Sequence, residues 1–154
     1  MPPRLSYARA APGAHKAMLA LEHYVNEAGL EPTLLDLVRL RASQINGCAF
    51  CIDMHWKDLR ARGETEERLY MLDAWREASL YSERERAALA WTEAVTLVSE
   101  SQVPDDIFAQ AKEQFSDAEL VNLTLAVAAI NSWNRLNVSF RTEAGKYQPA
   151  RQGS

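Results

Sequence analysis

Apolar residues recur along most of the chain at the three- to four-residue spacing of amphipathic helices, and no run alternates apolar and polar positions as a strand would. The pattern therefore predicts an all-α fold of about six to seven helices with no significant sheet. It predicts a single domain over residues 1–154, with a core of about 13–141 and a frayed polar tail over 144–154. The predicted helices cover residues 13–28, 32–46, 48–61, 65–75, 82–98, 104–115 and 116–140.

Local signals mark the ends of several predicted helices. Pro32 suits a first helical turn, and Gly47 suits the turn between the second and third helices. Ser82–Glu85 and Ser116–Glu119 have the spacing of capping boxes, in which each side chain satisfies a backbone N–H at the helix start. The stretch Leu120–Ile130 is apolar on nearly every side, which predicts that the last helix is the central, buried one.

Composition and charge narrow the class of protein. The chain has 154 residues, of which 47% are hydrophobic and 25% charged, so a folded core is expected and disorder is not. The net charge is −4, whereas proteins that bind nucleic acid or anionic lipid usually present a positively charged surface. The first residues lack the apolar core of a secretory signal, and the most apolar stretch is shorter than the ~20 residues of a membrane span. We therefore expect a cytoplasmic protein with neither nucleic acid nor membrane as a partner.

The two cysteines of the chain, Cys48 and Cys51, stand three positions apart at the start of the third predicted helix, and His55 follows one turn later. Their spacing of i, i+3 and i+7 places the three side chains on one helix face, at a distance that suits a disulfide. The helix N-terminus favours Cys48 as the reactive thiolate, whereas the imidazole favours Cys51. This arrangement predicts a thiol pair that attacks an electrophile such as a peroxide, closes to a disulfide and is reduced by an external dithiol.

Two other interpretations use the same residues. The three side chains could ligate zinc, with Asp36, His15 or His23 as the fourth ligand, although the chain has no second Cys/His pair to close such a site. The thiols could also be buried and inert, with His55 bonded to a carbonyl group. A helical module that senses redox state or binds zinc without catalysis is therefore the alternative to an enzyme.

The segment Leu37–His55 resembles the AhpD-like alkylhydroperoxidases of the carboxymuconolactone decarboxylase superfamily, most specifically in its Cys-x-x-Cys-x-x-x-His core. The resemblance implies an AhpD-like multihelical bundle and an oxidoreductase that reduces organic hydroperoxides in antioxidant defence. It also implies a homo-oligomer, a trimer or a hexamer, whereas no cofactor and no metal are expected. Lactone decarboxylation is not expected, because the decarboxylases of this superfamily lack the cysteine pair. The similarity extends more weakly over residues 34–136, through Glu64–Leu69, Tyr81–Ala94 and Asn131–Leu136.

The resemblance also implies roles for individual residues. Cys51 would be the peroxidatic cysteine and Cys48 the resolving one, with His55 as the proton relay and thiolate activator. Asp36, twelve positions before Cys48, occupies the place of a relay acid that is usually Glu in the family. Well-described members have a second relay histidine where this chain has Phe50, which cannot pass a proton, so water or His55 alone would serve. The implied partners are a peroxide and an external dithiol.

Three further groups of residues have simpler structural explanations. His15 and His23 suit solvated or capping positions on the first predicted helix. Buried amide and guanidinium groups must find hydrogen-bond partners, in loop backbone or an adjacent subunit, and this applies to Asn131, Asn134 and Arg135. Tryptophans anchor cores and subunit interfaces, and the chain has four: Trp56, Trp75, Trp91 and Trp133.

Overall fold

The computed structural model describes residues 1–150, and all regular structure within them is helical. In this part of the chain six α-helices have seven residues or more and three are shorter, which confirms the predicted all-α fold. A 3-10 turn (Leu72–Ala74) follows the fifth helix. The α-helices are α1 (Tyr7–Ala10), α2 (Pro12–Glu27), α3 (Pro32–Asn46), α4 (Ala49–Ala61), α5 (Glu66–Tyr70), α6 (Glu83–Thr96), α7 (Val98–Ser101), α8 (Asp105–Gln114) and α9 (Asp117–Phe140).

The predicted helix-start signals are confirmed. Pro32 lies in the first turn of α3. Ser82 and Glu85 form a capping box at the start of α6, and Ser116 and Glu119 form another at the start of α9. In each box the serine hydroxyl accepts from the glutamate N–H, and the glutamate carboxylate accepts from the serine N–H. These reciprocal bonds fix the first turns of two long helices.

The helix predicted over 65–75 is wrong in its second half, where α5 ends and the 3-10 turn follows. The carbonyl oxygens of Trp75, Arg76 and Ala78 accept hydrogen bonds from the guanidinium group of Arg86 on α6. These bonds give three carbonyl groups of the irregular stretch after α5 a side-chain donor in place of a helical N–H.

α3 lies at the centre of the fold because its apolar residues pack into two separate core clusters. Leu34 and Val38 join a core cluster with α2, α6, α8 and α9, whereas Leu37 and Leu40 join a second cluster with α4, α5 and α6. The prediction that α9 is the central, buried helix is wrong, since its apolar stretch Leu120–Ile130 leaves Val121 67% exposed. No described helix is both long enough and apolar enough to cross a membrane.

The turn between α3 and α4 places the cysteines. Gly47 has a φ of 65°, a left-handed conformation that favours glycine, and the N–H of Cys48 bonds back to the end of α3 over 3.0 Å. The side chain of Asn46 donates to Oδ1 of Asn131 and of Asn134 on α9, over 3.0 and 2.9 Å. The two α9 amides thus find partners inside the chain, and they anchor the turn that precedes α4.

The polar tail folds back onto α4. Residues 144–150 contain no helix, but Lys57 donates to the carbonyl oxygen of Tyr147 over 3.0 Å. The hydroxyl of Tyr147 in turn donates to the carboxylate of Asp58 over 2.7 Å. The tail that the sequence predicts as frayed is therefore held at Tyr147, and its last residues, 151–154, lie outside the described part of the chain.

Candidate functional site

Cys48 and Cys51 form a disulfide at the start of α4, with 5.3 Å between their Cα atoms. Cys48 is the N-cap of the helix, and its sulfur accepts a hydrogen bond from the N–H of Cys51 over 3.3 Å. Cys51 lies in the first turn, so its sulfur is close to the positive end of the helix dipole. The structure therefore brings the two sulfurs together, as their spacing predicts.

A cavity of about 590 Å³ opens onto Cys51. Both cysteines are buried, but only Cys51 is among the residues that line this cavity. A small molecule in the cavity would therefore meet Cys51, with Cys48 behind it. Several large apolar side chains form much of the wall: Leu19, Leu35, Phe50, Met54 and Trp133.

His55 lies one turn after Cys51 on α4 and lines the same cavity. It is buried, and neither of its ring nitrogens has a hydrogen-bond partner in the described part of the chain. Burial, together with the positive charge of Arg39, lowers the pKa of His55 from 6.5 to about 3. In the disulfide form the imidazole is therefore neutral near pH 7, and one of its nitrogens is able to accept a proton.

Asp36 approaches His55 from α3, with 3.9 Å between its Oδ1 and the Nδ1 of the imidazole. That distance is too long for a hydrogen bond. Both carboxylate oxygens instead accept from arginines, Oδ1 from Arg39 over 3.1 Å and Oδ2 from Nε of Arg62 over 2.9 Å. Asp36 thus lies beside the imidazole but is held by two guanidinium groups, and its relay role stays a prediction.

Arg39 connects this carboxylate to α2. It donates to Oδ1 of Asn26 over 2.6 Å and forms an ion pair with Glu22 over 2.7 Å. Glu22 also accepts a hydrogen bond from the indole N–H of Trp133 over 3.1 Å. Sequence reasoning did not select Arg39, although its spacing of three residues from Asp36 is one at which opposite charges pair on a helix.

Asn137 and Tyr7 complete the surroundings of Cys51, and sequence reasoning missed both. The Nδ2 of Asn137 donates to the sulfur of Cys51 over 3.7 Å, and the hydroxyl of Tyr7 donates to Oδ1 of Asn137 over 3.2 Å. A signal for Asn137 existed, because it follows Asn131 and Asn134 at three-residue intervals on one helix. Tyr7 carried no comparable signal.

The other histidines differ in position. His15 lines the cavity, and the centre of its ring lies 6.0 Å from that of Tyr7 and 6.1 Å from that of Trp133. The sequence predicts a solvated or capping position for His15 and does not predict this place in the cavity wall. His23 is exposed on α2. Among the described residues no group of three or more His, Cys, Asp or Glu side chains is arranged to hold a metal ion, and the two cysteine sulfurs are bonded to each other.

The tryptophans and Arg135, which the sequence analysis also considered, lie away from the cavity of Cys51, apart from Trp133. Trp75 and Trp91 are buried in the core, and Trp56 packs against the second core cluster. Arg135 is exposed and donates to the carbonyl oxygen and to the side chain of Asn131, over 3.0 Å in each case. A buried position for Arg135 is therefore wrong, because its guanidinium group follows the outer surface of α9.

The model of the carboxymuconolactone decarboxylase family matches residues 12–94 of the chain, a range that contains both cysteines, Asp36 and His55 but neither Tyr7 nor Asn137. The uncharacterized protein YdfG of Bacillus subtilis (strain 168) is 42% identical over 144 residues, which cover 94% of this chain and 98% of YdfG. The uncharacterized protein YnjA of Escherichia coli (strain K12) is 30% identical over 108 residues, which cover 70% of this chain and 59% of YnjA.

Solved structures share the helical bundle. A protein of unknown function from Agrobacterium tumefaciens, ATU0492, described as a candidate antioxidant defence protein AhpD, has a TM-score of 0.92 at 47% identity, over 95% of this chain and 100% of that one. An uncharacterized peroxidase-related protein from Ralstonia eutropha JMP134, described as an alkylhydroperoxidase AhpD core, has a TM-score of 0.79 at 19% identity, over 90% and 74%. The debrominase Bmp8 has a TM-score of 0.73 at 18% identity, over 88% and 73%.

Proposed function

The chain belongs to the carboxymuconolactone decarboxylase family and has the AhpD-like helical fold, and from this premise we propose that it is a thiol-dependent peroxidase. Its substrates are organic hydroperoxides, which it reduces in antioxidant defence. One observation carries the proposal: Cys51, half of a pair that closes to a disulfide, lines a cavity beside the imidazole of His55.

The proposed reaction starts from the reduced pair. His55 accepts the thiol proton of Cys51, and the negative charge left on the neighbouring sulfur stabilises the imidazolium that forms; the thiolate then attacks the terminal oxygen of the hydroperoxide. The S–O bond forms as the O–O bond breaks, so the peroxide gains two electrons and the sulfur of Cys51 becomes a sulfenic acid. The alkoxide leaves as an alcohol with the proton that His55 returns. Cys48 attacks the sulfenic sulfur, the S–S bond forms and water leaves.

An external dithiol completes the cycle by thiol–disulfide exchange. Because both cysteines are buried and only Cys51 lines the cavity, we expect the dithiol to enter the cavity, bond first to Cys51 and release Cys48. The second thiol of the reductant then displaces Cys51. Such a cycle needs a compartment in which dithiols stay reduced, and the cytoplasm is the one that we propose.

Treatment of the reduced protein with an equimolar amount of cumene hydroperoxide is expected to remove both free thiols of the chain and to create one Cys48–Cys51 bond. The pair supplies both electrons that the O–O bond requires, so added dithiol should restore both thiols. Thiol titration and peptide mass mapping distinguish the two states. A thiol count that no hydroperoxide changes would contradict the proposal.

Turnover separates an enzyme from a redox sensor. With excess dithiol, an enzyme consumes hydroperoxide continuously, whereas a sensor is oxidised once and regenerated slowly. Because large apolar side chains such as Leu19, Phe50 and Trp133 line part of the cavity, cumene hydroperoxide is the substrate to compare with hydrogen peroxide. A third arm uses 2,3,4-tribromopyrrole, the ligand of a Bmp8 variant complex, and turnover of this compound alone would redirect the assignment to that class of electrophile.

We also propose that the protein forms a homo-oligomer, a trimer or a hexamer. An apolar groove lies between α6, α8 and α9, and its lining includes the exposed side chains of Phe108 and Val121. Contiguous exposed apolar surface of this kind marks interfaces between proteins. The groove also accounts for the apolar residues of α9 that the core of one chain does not cover.

Val121→Glu is expected to lower the oligomeric state, because a carboxylate in an apolar interface would lose its hydration without gaining a partner. Light scattering coupled to size-exclusion chromatography measures the mass in solution. Tyr70→Glu is the matched control, since Tyr70 is 60% exposed on α5 and does not line the groove. A parent protein that is monomeric at micromolar concentration would contradict the proposed assembly.

A further inference from the structure

Asn137 is a buried amide whose orientation is fixed by its surroundings. It is 4% exposed, and its Nδ2 lies 2.9 Å from the carbonyl oxygen of Trp133. A carbonyl oxygen only accepts hydrogen bonds, so the nitrogen of the amide rather than its oxygen must face it. The same nitrogen donates to the sulfur of Cys51 over 3.7 Å.

Tyr7 holds the other end of this amide. Its hydroxyl donates to Oδ1 of Asn137, and burial raises the pKa of Tyr7, so the hydroxyl stays protonated and remains a donor. The tyrosine ring packs near those of Trp133 and Phe140, at 6.4 and 6.2 Å between ring centres. The segment before α1 is anchored as well, because the N–H of Arg4 donates to the carbonyl oxygen of Phe140 over 3.0 Å.

We propose that Asn137, held in this orientation by Tyr7, stabilises the thiolate of Cys51 in the reduced protein. The inference rests on the proposed function, in which that thiolate attacks the peroxide. A thiolate is a stronger hydrogen-bond acceptor than a thiol, so an N–H directed at the sulfur favours the charged form. Tyr7 is a positioning residue, since it acts on the sulfur only through the amide that it orients.

The titratable groups that line the cavity make no side-chain hydrogen bond to the sulfur of Cys51 in the described structure. Glu22, Asp36 and Arg39 are joined in ion pairs, and Arg62 is paired with Asp36. His55 makes no hydrogen bond to Cys51 in the disulfide form, and in the reduced protein it is the base that the proposed cycle assigns to the thiol proton. The remaining titratable groups that line the cavity are Tyr7, His15 and Asp58. The N–H of Asn137 is thus the side-chain donor that the described structure directs at Cys51.

The test measures the pH dependence of Cys51 alkylation by iodoacetamide in the Cys48→Ser protein, in which one thiol remains. Serine is a favoured N-cap residue, so α4 keeps its cap. Adding Asn137→Leu preserves the approximate side-chain volume but removes the N–H. We expect the pKa of Cys51 to rise by about one unit. At pH values below the pKa of Cys51 in the Cys48→Ser protein, alkylation should therefore slow about tenfold. Adding Tyr7→Phe instead is expected to slow alkylation about threefold, because the amide is kept but loses one of the two hydrogen bonds that orient it.

A second tyrosine–asparagine pair provides a matched control. The hydroxyl of Tyr24 donates to Oδ1 of Asn122 over 3.0 Å, and Asn122 lies on α9 as Asn137 does. Neither residue of this pair lines the cavity of Cys51. Adding Asn122→Leu or Tyr24→Phe to the Cys48→Ser protein is therefore expected to leave the alkylation profile unchanged.

An Asn137→Leu protein that is folded by circular dichroism and keeps the parent profile overturns the inference. If that variant does not fold, the Tyr7→Phe profile decides: an upward shift supports the inference and an unchanged profile overturns it. Alkylation involves no peroxide, so the two proposals fail separately. If the pKa of Cys51 rises in the variants but no hydroperoxide oxidises the protein, the proposed role of Asn137 is supported and the proposed peroxidase activity is refuted.

Discussion

Replacing Cys51 with serine is expected to abolish hydroperoxide reduction, leaving only the rate of the dithiol alone. The serine hydroxyl is not ionised near neutral pH, so it does not attack the O–O bond, and Cys51 is the cysteine that lines the cavity. The measurement is dithiol-coupled consumption of cumene hydroperoxide per mole of chain. The loss should be complete at every hydroperoxide concentration, because it removes the reacting atom rather than a binding contact.

Cys48→Ser is the matched comparison, since it keeps both the helix cap and the cavity position of Cys51. We expect this variant to be oxidised once, to a sulfenic acid that dimedone traps, and to form no disulfide within the chain. Equal turnover in the two variants would refute the roles assigned to the cysteines. A sulfenic acid found in Cys51→Ser and not in Cys48→Ser would exchange those roles.

The free energy of unfolding of the oxidised protein is expected to fall in acid because of His55. Its pKa is about 3 in the folded chain against 6.5 ordinarily, so below about pH 6.5 the unfolded chain binds a proton that the folded chain excludes. The free energy of unfolding therefore has its full value, as far as His55 is concerned, above pH 6.5, and it decreases progressively as the pH falls toward 3. Between pH 7.5 and pH 5 the loss amounts to about 2 kcal/mol.

His55→Leu isolates this contribution from the titration of carboxylates. The variant removes two buried nitrogens that lack partners, so at pH 7.5 we expect it to be at least as stable as the parent. The difference in free energy of unfolding between His55→Leu and the parent, measured by urea unfolding, should be about 2 kcal/mol larger at pH 5 than at pH 7.5. The exposed His23 serves as control, and His23→Gln should show no such growth. Parallel pH profiles for the parent and His55→Leu would show that the imidazole is not excluded from protonation.

The sequence identifies Cys48, Cys51 and His55 because all three lie on one helix, where spacing alone determines which side chains share a face. Asp36 comes from another helix, and only the resemblance to a family indicates it. Asn137 lies 86 positions from Cys51, and no local period connects the two. Such a contact depends on how α9 packs against α4, which spacing does not describe.

The same distinction holds for the fold. The capping boxes at Ser82 and Ser116 are local hydrogen bonds, and the sequence predicts them correctly. The irregular stretch after α5 is held by the side chain of Arg86, eight to eleven positions from the carbonyl groups of Ala78 and Trp75 that it binds. Apolar periodicity also does not distinguish a buried position from an exposed one such as Val121, because hydrophobicity alone reports no neighbour.

Both ends of the described chain approach the cavity of Cys51. Tyr7 of α1 lines it directly, and Tyr147 of the tail bonds to Asp58, which also lines it. An affinity tag fused before residue 1 or after residue 154 would therefore be attached within a few residues of Tyr7 or Tyr147. Rate constants obtained from fusion proteins would include steric and electrostatic effects of the tag, so proteolytic tag removal belongs before any kinetic comparison.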